Sequence, residues 1–199
     1  MRPAQFPVNL NLAGRAVLVV GGGRIALRKT SQLLVAGASV TVVAPEILED
    51  FDTLGLDLVR RPFRDSDLDG KRLVVTATGV RSVDQAVFEG AEQRGIWVNS
   101  ADDPERCTFT LPAVVRRGSL LITTSTAGAS PALSSYLRNQ LDRCIGAGWA
   151  EVAEELSSRR ELVHQQGIST ESIDWAPIIE EVLVAHGIVM ADVHGKAKG

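Results

Sequence analysis

The feature that most constrains this chain is a short apolar run, Ala16-Val17-Leu18-Val19-Val20, that stops on three consecutive glycines, Gly21-Gly22-Gly23. A continuous β-branched run without polar alternation suits a strand buried on both faces, as in a parallel sheet. Three glycines then allow a turn that side chains would obstruct. Beyond them the period changes: Ile25, Leu33, Leu34 and Ala36 recur at helical spacing over residues 25–36, and Gly37 is a good stop. Residues 39–43, Ser39-Val40-Thr41-Val42-Val43, read as a second strand. Strand, turn, helix and strand in this order form a crossover unit, which is right-handed almost without exception.

The alternation continues. Residues 56–59 and 72–77 read as strands, 83–94 as a helix with Val83, Val87 and Ala91 on one face, and 96–98 as a fifth strand after Gly95. Strands alternating with helices imply an α/β fold, a Rossmann-type doubly wound parallel sheet. After about residue 107 the pattern shifts. Residues 108–115 and 120–124 look like two strands joined at Arg116-Arg117-Gly118-Ser119, a hairpin and not another crossover. Ser130-Pro131 opens a helix, the hydroxyl suited to capping and the proline to the first helical position. Val152, Leu156 and Val163 mark a further helix and residues 177–184 another, with a frayed tail expected over 191–199.

The glycine turn carries chemistry as well as shape. Gly21-Gly22-Gly23-Arg24-Ile25-Ala26 fits G-x-G-x-x-A, directly after a buried strand and opening a helix. Backbone N–H groups and a helix N-terminus can there approach a pyrophosphate, so residues 21–26 are expected to bind a dinucleotide. An acid that holds the ribose hydroxyls is expected about twenty residues on. That position reads Ala44-Pro45, and the first acid is Glu46. No arginine stands there to meet a 2′-phosphate, so NAD is favoured over NADP, with Pro45 and Glu46 on the ribose side.

Composition excludes several classes. A formal net charge of -3 gives no global positive field to collect phosphates, so no nucleic-acid partner is expected. The 45% hydrophobic and 23% charged content is that of an ordinary globular protein. Two cysteines, Cys107 and Cys144, are too few for a disulfide framework or a tetrahedral metal site, and read as buried small residues in a reducing cytoplasm. His164, His186 and His194 form no metal-ligand motif. Residues 1–14 lack the apolar core of a signal peptide, and the glycines interrupt the most hydrophobic run. The expectation is a cytoplasmic protein with no membrane partner.

Three separated motifs say more than the glycines. Val98-Asn99-Ser100-Ala101-Asp102-Asp103-Pro104 leads into Cys107-Thr108-Phe109 and Leu111-Pro112-Ala113. Ser125-Thr126-Ala127-Gly128-Ala129-Ser130-Pro131 follows, with Leu137-Arg138 in the helix beyond. Together with Gly21-Gly22-Gly23, Ala26, Arg28 and Lys29, these closely resemble the siroheme synthase N-terminal family, over residues 7 to about 145. Members of that family are precorrin-2 dehydrogenases, some of them also sirohydrochlorin ferrochelatases. The resemblance implies NAD-dependent oxidation of precorrin-2 to sirohydrochlorin, with chelatase activity as a second option. It also implies a homodimer and a division into a Rossmann domain (1–112), a dimerisation segment (113–146) and a helical C-terminal domain (147–199). With no methyltransferase region within the 199 residues, the substrate is expected from a separate methyltransferase.

The family's key aspartate maps onto Asp102, just after the fifth strand, where open α/β sheets bind their ligands. It is expected to take a proton as hydride leaves, a general-base role. Asp103, before Pro104, reads as the start of a turn. Ser130 carries over from the family as a substrate contact, with helix capping as its alternative. Asn99 is a further substrate-binding candidate, and Arg106, Arg116, Arg117 and Arg138 are candidates for the substrate's many carboxylates, which guanidinium forks suit well. This chain has Ala127-Gly128 where the family more often has two glycines. Its Thr76-Ala77-Thr78-Gly79 replaces a commoner acid-containing turn, and Thr78 and Gly79 are assigned to the adenosine side. A non-catalytic NAD-sensing module is the alternative, since a Rossmann fold does not specify chemistry. A mere sensor, however, has no need of the 99–104 and 125–131 motifs.

Overall fold

The computed structural model describes residues 5–101 and 103–188. The chain divides into two compact units, Met1–Leu111 and Pro112–Gly199.

The first unit is built on β1 (Ala16–Val20), α1 (Arg24–Val35), β2 (Ser39–Ala44), β3 (Asp57–Arg60), β4 (Leu73–Thr76), α2 (Arg81–Gln93) and β5 (Trp97–Ser100). All five strands are parallel, in the order β3-β2-β1-β4-β5. This is the Rossmann-type arrangement expected from the strand–helix alternation. The order reverses at β1, which pairs with β2 on one side and β4 on the other, and the carboxyl edge at such a switch point is where ligands of these sheets bind.

Strand alternation sorts the core into two layers. Val17, Val19, Val40, Val42 and Val75 pack with Ala26 and Leu33 of α1. Leu18, Val20, Val74 and Val98 pack with Val87 and Ala91 of α2. Both faces of each central strand are thus buried, which is why the strands read as continuous apolar runs. The expected helices lie within one or two residues of α1 and α2. Two short 3₁₀ turns matter for the site: Glu49–Leu54 after β2 and Pro104–Arg106 after β5.

The second unit holds the antiparallel hairpin β6 (Ala113–Arg117) and β7 (Leu120–Thr124), then α3 (Pro131–Cys144), α4 (Trp149–Gln165) and α5 (Ala176–Ala185). The hairpin turn is shorter than expected. The strands continue through Arg117 and resume at Leu120, leaving Gly118-Ser119, with Gly118 at φ +55°. Residues 108–112 are not part of β6. Thr108 instead folds back on β5, its N–H donating to Val98 O at 2.9 Å and its hydroxyl accepting the Val98 N–H at 2.8 Å. Pro112, with no N–H to give a ladder, stands just before β6. The expected frayed tail over 191–199 lies outside the described residues, as does His194.

Candidate functional site

The three glycines do different work. Gly21, at φ +128°, donates its N–H to Val43 O at 2.9 Å, and a Cβ there would collide with the Ala77 carbonyl. A Cβ on Gly22 would collide with Glu46 O and sit 2.7 Å from Ile47 Cα, while Gly22 O accepts the Leu48 N–H at 3.0 Å. Gly21 and Gly22 therefore let the turn fit between the ends of β2 and β4. Gly23 is different: its backbone is extended and a Cβ would meet nothing within 4 Å. It is the position where the backbone stands open to a ligand.

Gly23 is also the N-cap of α1, which has no side-chain cap and no acid in its first turn. The first helical bond is Leu27 N–H to Gly23 O at 2.9 Å. The N–H groups ahead of it belong to the set that a helix cannot satisfy internally, and the helix dipole adds a partial positive charge. Arg24 and Ile25 are exposed on this first turn, whereas Ala26 is fully buried against the sheet.

The turn opens on a cavity of about 1030 Å³ along the carboxyl ends of β1, β2 and β4. Gly21, Gly22 and Gly23 form its floor, and the β2 side runs through Pro45, Glu46 and Ile47 to Asp50. Thr78 and Val83 lie on the opposite side. Its lining carries the carboxylates Glu46, Glu49 and Asp50 and no lysine or arginine. These residues fit a dinucleotide: glycines that admit the backbone, an open helix N-terminus for a pyrophosphate, and acids but no cation on the ribose side.

Two fixed networks flank the cavity. Asp84, in the first turn of α2, accepts from Thr76 Oγ1 and, at 2.7 Å, from Thr78 Oγ1. Thr78 Oγ1 also accepts the Val80 N–H at 3.0 Å, so its place on the wall is fixed. Gly79 turns the chain at φ +71°. Sequence reading missed Asp84; its signal was an acid at the start of a helix, eight residues after Thr76. On β5, Lys29 Nζ donates to Asn99 Oδ1 at 2.9 Å, and Asn99 Nδ2 donates to Phe109 O at 3.0 Å. Both ends of this buried amide are thus used to brace the strand end. Lys29 lies seventy residues from Asn99, so no local pattern could have paired them.

Arg106 is similarly held. It is buried, pairs with Asp103 and donates its Nε to Gln85 Oε1 at 2.6 Å. Asp103 also accepts the Glu105 N–H at 3.2 Å, the turn-starting role expected of it. Asp102, the expected base, lies outside the described residues.

Cys107 is half-buried, with Sγ accepting the Ser100 N–H at 3.2 Å and lying 3.3 Å from Ser100 O. Burial pushes its thiol pKa up, so it is not a poised nucleophile. Cys144, expected to be buried, is exposed, because α3 ends there at the surface.

In the second unit Ser130 caps α3: its Oγ accepts the Leu133 N–H at 3.3 Å and Pro131 follows in the first turn. Its own N–H donates to Thr126 Oγ1 at 2.9 Å. Arg116 on β6 is exposed and Arg138 on α3 half-buried; among the described residues neither forms an ion pair. The described residues also include no cluster of three or more His, Cys, Asp or Glu side chains able to hold a metal, and no helix long and apolar enough to cross a membrane.

Comparison with known proteins agrees with this geometry. A family described as "Putative NAD(P)-binding" matches residues 8–113. The siroheme synthase of Methylococcus capsulatus is 39% identical over 80% of the chain and 35% of its own length. That of Acinetobacter baylyi is 41% identical over 81% of the chain and 36% of its length. The chain thus spans about a third of these curated relatives. A solved structure named "SirC, precorrin-2 dehydrogenase" superposes with a TM-score of 0.70 at 28% identity, covering 92% of this chain and 99% of that one.

Proposed function

This chain belongs to the NAD(P)-binding family matched over residues 8–113, and we propose that it is an NAD-dependent precorrin-2 dehydrogenase, forming sirohydrochlorin in siroheme biosynthesis. The observation that carries the reading is the reach of the similarity. A nucleotide-sensing module accounts for residues 8–113, but identity to siroheme synthases continues over 80% of the chain and structural likeness to the dehydrogenase over 92%. The alternative of a non-catalytic NAD sensor is not favoured.

NAD, when bound, supplies the hydride acceptor. The chain's own residues hold and orient it: residues 21–26 receive the pyrophosphate on the helix N-terminus, Glu46 with Pro45 takes the ribose, and Thr78 with Gly79 borders the adenosine side. Oxidation of precorrin-2 removes a hydride and a proton, and Asp102 is assigned as the base that takes the proton. Asn99 and Arg106 act by bracing the β5 edge beside it. Arg116 and Arg138 are assigned to substrate carboxylates, which they can receive without giving up an existing ion pair. Ser130 keeps a hydroxyl proton to donate while capping α3.

The partner is a second copy of the chain, with residues 113–146 as the dimerisation segment. Support comes from the exposure of Leu133, Tyr136 and Leu137 on α3 and of Val114 on β6. The two-stranded hairpin also leaves its outer edges unpaired among the described residues, and such edges tend to be covered.

The test is direct. Purified protein is mixed anaerobically with precorrin-2 and NAD, and NADH fluorescence is followed with the tetrapyrrole absorption spectrum. Stoichiometric appearance of NADH and sirohydrochlorin is expected; binding of NAD with no turnover of precorrin-2 would leave the sensor.

A further inference from the structure

The family match does not distinguish NAD from its 2′-phosphorylated form, and the lining acids explain only half of a preference: they repel a 2′-phosphate, but a nearby arginine could reverse that. One arginine is tied to the β2 side of the cavity wall. Arg60 is the last residue of β3 and pairs in register with Ala44, the end of β2, where the ribose side of the cavity begins. Its Nη1 donates to the carbonyl of Ile47, a cavity-lining residue, at 2.9 Å. Its Nη2 donates to Asp52 Oδ1 at 2.7 Å, in the same 3₁₀ turn as Glu49 and Asp50 of the acidic rim. We infer that the Arg60–Asp52 ion pair is a specificity determinant for the cofactor: Asp52 ties back and neutralises the cation that would otherwise accept a 2′-phosphate. This rests on the NAD site proposed above.

The physical case has two parts. Position comes first: the guanidinium is bonded to the backbone of Ile47, a residue of the cavity wall. Charge comes second. With Arg60 and Asp52 cancelling, the rim keeps the negative charge of Glu46, Glu49 and Asp50. A 2′-phosphate, carrying close to two negative charges, meets only repulsion there. Both partners are about half exposed, with side chains at 45% and 52%, so close packing does not confine the guanidinium once Asp52 is neutral. Arginine is also the residue whose fork best matches a phosphate.

The experiment measures binding, not turnover. Kd values for NAD and NADP are obtained by calorimetry on the full chain, at low and high salt. The variants are Asp52→Asn, Arg60→Met and the double variant, with circular dichroism checking the fold. For the unmodified protein NAD should bind more tightly. Asp52→Asn should tighten NADP by about tenfold with little change for NAD, an effect that salt diminishes. The double variant should lose that gain, and Arg60→Met alone should leave the NAD preference in place. An Asp52→Asn protein with an unchanged NADP-to-NAD ratio overturns the inference, as does a double variant that keeps the gain. If NAD binds none of the folded proteins, the cofactor site itself is wrong and the inference falls with it. Should Asp52→Asn misfold, Asp52→Ser makes the same test.

Discussion

The two compact units treat apolar side chains in opposite ways. In the first, the sheet is sealed on both faces: Val17, Leu18, Val19, Val42, Val74 and Val98 are essentially inaccessible. In the second, the buried apolar residues are Val115, Val152, Val182 and Leu183, while Leu133 is 48% and Tyr136 58% exposed. A parallel sheet between two helical layers completes its own core, but a two-stranded hairpin against α3 and the start of α4 leaves part of α3 uncovered. The difference assigns separate tasks. A self-contained unit can hold a cofactor in fixed geometry, whereas an uncovered apolar surface is one that a partner would cover.

The largest expected effect belongs to the first unit. Asp102→Asn should lower the rate of precorrin-2 oxidation by about a hundred- to ten-thousand-fold, the usual worth of a positioned base, with NAD affinity and oligomeric state unchanged. Asp103→Asn should cost far less activity, because Asp103 is occupied in capping the Pro104–Arg106 turn and pairing with Arg106. Near-full activity of a well-folded Asp102→Asn protein in the stopped-flow assay would move the base elsewhere.

Next comes a contrast inside the glycine turn. Gly22→Ala forces a Cβ into the Glu46 carbonyl, and urea unfolding should show a loss of about 3 kcal/mol, typical of severe overpacking. At Gly23 an added Cβ meets no neighbour, so Gly23→Val should cost far less stability than Gly22→Ala. Its side chain would instead stand in the pyrophosphate path, and NAD binding should vanish. Unchanged NAD affinity of folded Gly23→Val would reject the site.

The glycine turn, the five strands and the switch to a hairpin were legible because each follows from a local rule: continuous apolar runs for strands buried on both faces, and glycine wherever a Cβ has no room. The division of labour among Gly21, Gly22 and Gly23 was not, since it depends on Ala77 and Glu46, brought close only by the sheet. Lys29–Asn99, seventy residues apart, escaped for the same reason, whereas Asp84–Thr78 is a local pair at the start of α2 whose signal was passed over. Ser130 was legible twice over, as a cap and as part of a family motif, and only its capping bond is visible in the structure. The first hairpin strand, expected over 108–115, was placed too early at both ends, since β6 runs Ala113–Arg117. Residues 109–112 follow Thr108, which is tied back to Val98.

The second unit's apolar surface supplies a test of smaller size. Leu133→Asp with Tyr136→Asp should convert a dimer into a monomer in light scattering at micromolar concentration, a loss of about 2 kcal/mol or more of association energy. The fold should survive, because both side chains are exposed. A monomeric parent protein at that concentration would break the comparison at its root.

Acid sensitivity should also separate the units. In the first, the Arg61 hydrogen bond holds the Asp67 carboxyl below its ordinary 3.8, with a backbone bond from Arg64 adding to it. In the second, Glu155 is lowered by His186 and then by Arg159. A carboxylate whose folded pKa is depressed adds stability above its unfolded pKa and loses it as pH falls through the folded value. Asp67→Asn should therefore lower the melting temperature at neutral pH and lower it less in acid below pH 3.8, the contribution falling as pH drops through the folded value. Glu155→Gln should follow the same direction more weakly, since its partners are solvent-screened. An equal effect of Asp67→Asn at both pH values would show that the charge is not what matters.

The smallest effect lies in the loop of the 125–131 motif, and it reverses the lesson of the glycine turn. There, a positive φ is met by Gly21; here Ala127 carries φ +51° and is followed by Gly128 at φ +80°. A left-handed backbone costs a residue with a Cβ about 1–2 kcal/mol. Ala127→Gly removes that strain, but the unfolded chain gains freedom, which offsets about 0.5–1 kcal/mol of the benefit. The net expectation is a stabilisation of about 0.5–1 kcal/mol, read as a small rise in the urea midpoint at constant slope. The loop is held at both ends independently of residue 127's side chain. Ala127 N–H donates to Ser125 Oγ at 3.2 Å and Ala129 N–H to Thr126 O at 2.9 Å. The backbone should therefore keep its path in the variant. A destabilised Ala127→Gly protein would mean that the methyl group makes a contact worth more than the strain it imposes, with dimerisation the first place to look for it.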